Sequence, residues 1–486
     1  MTSWDRLTAD NFIAGRRRGS VSGETRVDIA PASGIDIGDV TVSNEEDVAD
    51  AYVAAADAAP RWRAMGAEER RGYLLAWAAA VRARLDDIAL VDAVDSGTPL
   101  RTMRTGVAKG AEYIEYYAGL GQQLRGATIP ATPGHLHYTV REPYGVVAVI
   151  IPFNHPAYFA MSKTVPALMA GNTVVLKPAD QTPLSATMIA DASAGILPAG
   201  VFNVVHGGAR VGRALAGHPD IWRVHFTGGV DTGLAVQKTA AESGRVKHVS
   251  LELGGKNPLL AFPDADPTEV AEAAVVGMNF TRNQGQSCGS TSRLFVPSSM
   301  ASEVTDEVCA LAAKIRLGMP ELEDTEMGSL VSPEHQDRVL GFVEEGVSEG
   351  ARLRVGGERP SGDLAGGAFV KPTVLDRVTP ELTVAREEIF GPVLSVITWD
   401  TEDELFSMVN DSDYGLTAAI YTHDLATAHR AAARVESGYI WVNGVEKRWK
   451  GVPFGGYKNS GLGSEHDLAE METYTRTKAV TVMLPS

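Results

Sequence analysis

The chain predicts an α/β protein built on a parallel β-sheet covered by helices on both faces, the outline of a dinucleotide-binding domain. Three observations predict it. Short β-rich runs, nearly all apolar, recur at 145–151, 173–177, 201–205 and 224–227. Helix-length segments lie between them at 158–170 and 184–194. Strands that alternate with helices and lack a polar face belong to sheets buried on both sides. Finally, 486 residues exceed the roughly 250–300 that one core supports, so two or more domains are expected.

In chain order, segments 44–60 and 67–94 are Ala-rich with charges at helical spacing. Asn44 before Glu45, Glu46 and Asp47 is a helix start, because the Asn side chain caps free N–H groups and acidic residues suit the first turn. A second α/β pattern begins near 254, with helices at 268–279 and 301–316 and strands at 293–296, 394–398, 418–421 and 439–442. Segments 122–142 and 478–483 hold isolated alternating strands without a local partner, which suggests an extension that pairs with another chain. The expected division is therefore 1–120 with 143–253 as the dinucleotide-binding domain, 254–455 as the catalytic domain, and 121–142 with 470–486 as oligomerisation strands.

Composition bounds the partners. Hydrophobic residues make up 44% and charged residues 22%, and 44 basic against 61 acidic residues leave a formal charge of −17. That argues against nucleic acid or an anionic membrane surface. A small anionic cofactor is still compatible, since helix N-termini bind phosphate locally. Two cysteines build no disulfide framework, the start Met1 to Asp5 has no basic-then-apolar signal, and the apolar run 146–151 is too short to span a bilayer. A cytoplasmic protein without a metal site is expected.

The chemistry centres on Cys288, in the run Asn283-Gln284-Gly285-Gln286-Ser287-Cys288-Gly289. Small and amide neighbours leave a thiol accessible to substrate. Upstream, Leu251-Glu252-Leu253-Gly254-Gly255-Lys256 offers a carboxylate between strand-like and Gly-rich sequence. A thiol nucleophile with a carboxylate base is the minimum for covalent acyl chemistry, hydrolytic or oxidative. The turn Pro152-Phe153-Asn154-His155-Pro156 ends one strand; its prolines fix a rigid corner whose Asn can donate to a developing oxyanion, or merely cap the turn. Lys177-Pro178-Ala179-Asp180 ends another strand, where open parallel sheets bind ligands. Phe226-Thr227-Gly228-Gly229 leads into a helical stretch, a corner where a pyrophosphate can approach a helix N-terminus.

Six runs in order resemble the aldehyde dehydrogenase superfamily: Pro152-Phe153-Asn154, Lys177-Pro178-Ala179-Asp180, Glu252 to Lys256, Gly285 to Cys288, Glu387-Glu388-Ile389-Phe390-Gly391-Pro392, and Pro453-Phe454-Gly455-Gly456-Tyr457-Lys458 with Ser460-Gly461. The resemblance implies a Rossmann-type cofactor domain, an α/β catalytic domain and a small β extension that makes a homodimer or homotetramer. It implies that Cys288 attacks a small aldehyde to give a thiohemiacetal, with the oxyanion held by Asn154 and the Cys288 N–H. Hydride would pass to the nicotinamide ring, and Glu252 would activate water against the thioester. Lys163 and Glu465 match a supporting relay. Ile151, Pro152, Phe153, Lys177, Asp180, Gly207, Phe226, Thr227, Gly228, Gly229, Leu253, Gly254, Glu388 and Phe390 would line the cofactor cleft.

Departures sharpen the expectation. Asp180 replaces the usual glutamate; a carboxylate there repels a 2′-phosphate, so NAD is expected over NADP, which stays possible. Gly229 replaces a serine, Ser464 an arginine, and Arg476 a glutamate. The resemblance lines the substrate entrance with His155, Phe159, Ser162, Arg282, Ser287, Phe454 and the loop 445–452. Arg282 lies six residues before Cys288, the spacing at which succinic semialdehyde dehydrogenases carry a carboxylate-binding arginine; a structural ion pair is the alternative. Lys447, Arg448 and Lys450 add cations, while His155, Phe159 and Trp449 suit a bulky ring. The expected substrate is a semialdehyde or an aromatic aldehyde. The rival readings are a thiol hydrolase or amidase, a variant that passes the thioester to coenzyme A, and a silent scaffold. Retention of Glu252 argues against the coenzyme A variant.

Overall fold

The computed structural model describes residues 6–483. Two large sheets carry the molecule. The first has eight strands in the order Gly461–Leu462, His248–Glu252, Arg223–Thr227, Val146–Ile150, Thr173–Lys177, Phe202–Val204, Asn11–Ile13 and Arg16–Arg18. Its five strands from His248–Glu252 to Phe202–Val204 are parallel. Side chains alternate between two cores. Val147, Val149, Val174 and Leu176 enter one, whereas Val146, Ala148, Ile150 and Val175 enter the other. That period of two explains the all-apolar strands, since each face is covered by helices.

The second sheet has seven strands in the order Arg352–Val355, Thr373–Asp376, Val393–Trp399, Arg293–Pro297, Pro258–Ala261, Thr417–Tyr421 and Tyr439–Val442. Only Arg352–Val355 runs antiparallel to its neighbour. The long helix Glu45–Ala64 starts as expected: Asn44 accepts from the Glu46 and Asp47 N–H groups, and Asp47 returns the bond to the Asn44 N–H.

Three local expectations change. The stretch 158–170 is two helices, Pro156–Ser162 and Val165–Met169, because Pro166 supplies no N–H and disfavours helical geometry before it. The break leaves Lys163 at a helix end, aimed inward. Segment 67–94 likewise divides into Ala67–Arg82 and Leu85–Ser96. The two isolated strands do have a local partner: His135–Pro143 pairs antiparallel with Thr475–Met483 along its whole length.

The C-terminal region does not follow the expected division either. Leu468–Thr473 is a helix, and Met471 and Tyr474 pack into the core of the first sheet. Gly461–Leu462 adds an edge to that sheet beside His248–Glu252. The chain thus returns from the second sheet to the first and carries Glu465 with it. The outermost parts of the expected first domain and C-terminal strand, 1–5 and 484–486, lie outside the described residues.

Candidate active site

A cavity of about 780 Å³ opens at the carboxyl ends of the first sheet's strands. Lys177, Asp180 and Ala209 lie at one end, Gly228, Gly229 and Thr232 along it, and Asn154, Glu252, Glu388 and Cys288 at the other. Each strand end delivers a group because parallel strands finish on the same edge. Val146–Ile150 leads to Asn154, Thr173–Lys177 ends in Lys177, Arg223–Thr227 precedes Gly228, and His248–Glu252 ends in Glu252. Ile151, Pro152, Phe153, Phe226, Thr227, Leu253, Gly254, Phe159 and Phe390 also line it.

Cys288 and Glu252 meet in the cavity wall, with Sγ 3.8 Å from Glu252 Oε1. Asn257 anchors the cysteine loop, donating from Nδ2 to the carbonyls of Cys288 at 2.7 Å and Ser290 at 2.9 Å. Among the described residues no acceptor takes the Cys288 N–H. Asn154 Nδ2 spends one N–H on the Gln286 carbonyl at 2.8 Å and keeps a second for an oxygen near the sulfur. Burial and the neighbouring Glu252 push the thiol up to about 12, while Arg448 pulls it the other way. The resting thiol is therefore protonated, and Glu252 is the base within reach.

Behind Glu252, Lys163 Nζ donates to both Glu252 and Glu465, and all three are buried. Burial alone would raise Glu252, but Lys163 outweighs it and holds the carboxyl below its usual range. Glu465 goes the other way: burial and Glu252 push it well above its ordinary value. One cation thus serves two carboxyls that cannot both ionise cheaply.

The cofactor end has the features of a nucleotide cradle. The helix Val230–Glu242 starts at Gly229, where a Cβ would meet nothing within 4 Å, and Gly229, Asp231 and Thr232 line the cavity. At Gly254 a Cβ would stand 2.0 Å from a Glu388 oxygen, so only glycine admits that carboxylate. Glu388 accepts from the Gly255 N–H at 2.9 Å, and burial pushes it up to about 7. In space and donor chemistry these residues fit a dinucleotide.

Several expected site residues lie outside this cavity. Lys163 and Glu465 sit behind Glu252, as described. Gly207 adopts φ 135° and a Cβ there would stand 2.7 Å from Val211, so it serves the turn; Ala209, Gly212 and Arg213 of the next helix line the cavity instead. His155 is held at 3.3 Å from Asn283 Nδ2 and packs edge-on to Phe159. Ser287 Oγ accepts from the Gly289 N–H at 3.4 Å. Phe454 is fully buried, stacked between His466 and the Arg448 guanidinium. Arg282 is ion-paired with Glu446.

His335 and Arg338 are the contributors that sequence reasoning missed. Both line the cavity from the helix Pro333–Ser348. His335 Nε2 lies 2.8 Å from the Phe390 carbonyl, and Arg338 donates to the Glu388 and Ile389 carbonyls at 3.1 Å each. They hold the Glu388–Phe390 bend, in which Phe390 takes a left-handed φ of 57°. No motif marks them; their position in an ordinary amphipathic helix hides the role.

A thiol facing a carboxylate in a long cleft at the strand ends suits a cofactor-dependent oxidoreductase on an α/β fold. The Aldehyde dehydrogenase family model matches residues 19–480, and the chain belongs to the aldehyde dehydrogenase family. It is 41% identical to the aldehyde dehydrogenase tropH of Talaromyces stipitatus, over 98% of this chain and 94% of the relative. The NAD+ complex of an aldehyde dehydrogenase from Bacillus cereus superposes with a TM-score of 0.95 at 37% identity, covering 99% of this chain and 97% of that one. HpcC from Thermus thermophilus gives 0.95 at 39% identity, covering 99% and 94%. The activity is that of an aldehyde dehydrogenase. None of the described helices is long and apolar enough to cross a membrane.

Proposed function

We propose that the chain oxidises an aldehyde to a carboxylic acid with NAD, through a covalent intermediate on Cys288. The observation that carries the reading is the 3.8 Å approach of Glu252 Oε1 to the Cys288 sulfur at the inner end of the cleft. Glu252 takes the thiol proton, and the sulfur adds to the aldehyde carbon. The free Asn154 N–H and the Cys288 N–H hold the oxygen, an effect for which one such donor is worth about 3–4 kcal/mol. NAD, when bound, supplies the hydride acceptor that leaves an acyl group on the sulfur. Glu252 then passes the thiol proton on to solvent, and, as Lys163 exchanges its pairing between Glu252 and Glu465, the freed carboxylate takes a proton from the hydrolytic water.

Lys177 and Asp180 at the outer end support binding of the adenosine ribose, and Asp180 favours a free 2′-hydroxyl. The Bacillus cereus relative was solved with NAD+, which supports the same choice. The first sheet then acts as the cofactor domain and the second as the catalytic domain. The exposed Leu136, Val482 and Met483 on the paired strands support assembly as a homodimer or homotetramer. The aromatic and cationic surroundings of Cys288 support a semialdehyde or an aromatic aldehyde as substrate. Initial rates of NADH formation over aliphatic, aromatic and carboxylated aldehydes test the reading, with Cys288→Ala as control. Activity in that variant, or thiol-dependent ester hydrolysis with no NADH from any aldehyde, would overturn it.

A further inference from the structure

A buried imidazole lies behind Glu252. His225 is on the strand Arg223–Thr227, two residues before Thr227, so strand alternation puts both side chains on one face. Its Nε2 lies 3.2 Å from Thr227 Oγ1 and 3.4 Å from Glu465 Oε1. Thr227 Oγ1 in turn donates to Glu252 Oε2 at 3.5 Å. The imidazole and both carboxyls are buried. Two routes therefore join Glu252 to Glu465, one through Lys163 and one through Thr227 and His225.

The two routes differ in what they carry. An ammonium has no lone pair, so Lys163 attracts either carboxylate but accepts a proton from neither. Burial lowers it, but Glu252 and Glu465 outweigh burial and hold it above its ordinary value, so it keeps its own protons. The Thr227 hydroxyl donates and accepts at one oxygen. Burial, Lys163 and Arg223 push His225 well below its ordinary value, so the ring is neutral. With its proton on Nδ1, a neutral ring offers a lone pair at Nε2. Glu465 Oε1 has no hydrogen-bond partner among the described residues, so the oxygen facing that nitrogen is free to take or give a proton. On its far side Glu465 borders a second cavity of about 10 Å³, near the space of one water, whose walls include Arg223, Glu470 and the exposed Leu462.

We propose that His225 acts through Glu252 as a proton carrier: with Thr227 it takes the protons that Glu252 collects and delivers them to Glu465. This rests on Glu252 being the base for both half-reactions. The Glu252 O–H bond breaks as Thr227 Oγ1 takes that proton and passes its own to His225 Nε2. The Nε2–H bond then breaks in favour of Glu465 Oε1, whose own proton has gone to the second cavity. The brief imidazolium stands 3.4 Å from the Glu465 carboxylate, an opposite charge that offsets its burial. Glu252 regains its carboxylate form and can activate the hydrolytic water; nothing is oxidised or reduced in the transfer. Lys163 sets the charge, and His225 moves the proton. The competing role is packing between the strand and the Glu465 turn, which would alter both half-reactions alike.

The test follows His225→Gln, His225→Leu and Thr227→Val at saturating NAD, with an aldehyde that the wild type oxidises. Stopped-flow absorbance reads the first NADH turnover, steady-state rates read kcat, and intact-mass spectrometry reads the acyl group on Cys288. The first turnover needs Glu252 only to take the thiol proton, so in the His225 variants it should stay within about twofold of the wild type. Their kcat should fall about 10- to 100-fold, at the lower end of what a positioned acid–base group contributes, and the acyl group should accumulate. Thr227→Val removes the hydroxyl at constant shape and should show the same ratio of first turnover to kcat, which keeps the test decisive if the His225 variants do not fold. Wild-type kcat in these variants, or equal losses in first turnover and kcat, overturn the proposal. A Glu252→Gln enzyme with wild-type turnover instead removes the base on which the proposal rests.

Discussion

Glu252 presents Oε1 to the Cys288 sulfur at 3.8 Å and its other oxygen to Lys163. One carboxylate therefore faces both the thiol and the buried cation that keeps it ionised. The substitution Glu252→Gln removes the base and leaves the shape. In that variant the steady-state kcat falls by about 10²–10⁴-fold, the usual contribution of a positioned base. Stopped-flow absorbance should record a slower first NADH turnover, because the thiol has lost its base, and intact-mass spectrometry should find an acyl group accumulating on Cys288, because its hydrolysis has lost the same base. A variant that turns over at the wild-type rate excludes Glu252 as the base.

The thiol is held up at about 12 by burial and by Glu252. Only its thiolate reacts with iodoacetamide. Alkylation of Cys288 in the cofactor-free enzyme should still accelerate above pH 9, past the ordinary cysteine value of about 8.5. Glu252→Gln removes a negative neighbour, which lowers the thiol and speeds alkylation at pH 8. Peptide mapping separates Cys288 from Cys309. A plateau below pH 8 contradicts this electrostatic account.

Glu388 is pushed up to about 7 by burial. Its carboxylate form, which accepts hydrogen bonds from ribose hydroxyls, appears as pH rises through that value, and the protonated form prevails below it. NAD should bind several-fold more tightly at pH 8 than at pH 6 by calorimetry. Glu388→Gln cannot titrate and should bind weakly with a flatter profile. A wild-type affinity constant between these pH values is the contrary result.

Asp180 stands at the ribose end of the cleft, 3.8 Å from Lys177 Nζ. Asp180→Ala removes the carboxylate that repels a 2′-phosphate and leaves the lysine to attract it. The ratio of kcat/KM with NAD to that with NADP should fall by about tenfold, equivalent to roughly 1.4 kcal/mol. An unchanged ratio places cofactor discrimination elsewhere in the cleft.

Lys163→Met leaves Glu252 and Glu465 buried without their shared cation. Breaking such a pair costs about 3–5 kcal/mol, so the urea midpoint should drop clearly with an unchanged m-value. A variant as stable as the wild type argues against Lys163 as the cation that compensates these buried carboxyls.

Much of the framework was legible along the chain. Strands Thr173–Lys177 and Tyr439–Val442 have the bounds expected from sequence, because an apolar run ended by a turn residue or a charge is a local signal. Asn44, Cys288, Glu252, Asn154 and Glu388 were legible for a related reason: each sits in a short motif at a strand end or turn. His335 and Arg338 were not, since they act from a helix whose sequence only reports its own amphipathic face.

By itself, then, the sequence determined the layered α/β class, the strand ends that carry the chemistry, and the thiol with its carboxylate. Those depend on patterns within a few residues. Tertiary structure alone decided which partners each group meets. It paired His135–Pro143 with Thr475–Met483, brought Glu465 to Lys163, and gave Arg282 to Glu446. Spacing along the chain records which charges are present, whereas neutralisation depends on distances closed by folding.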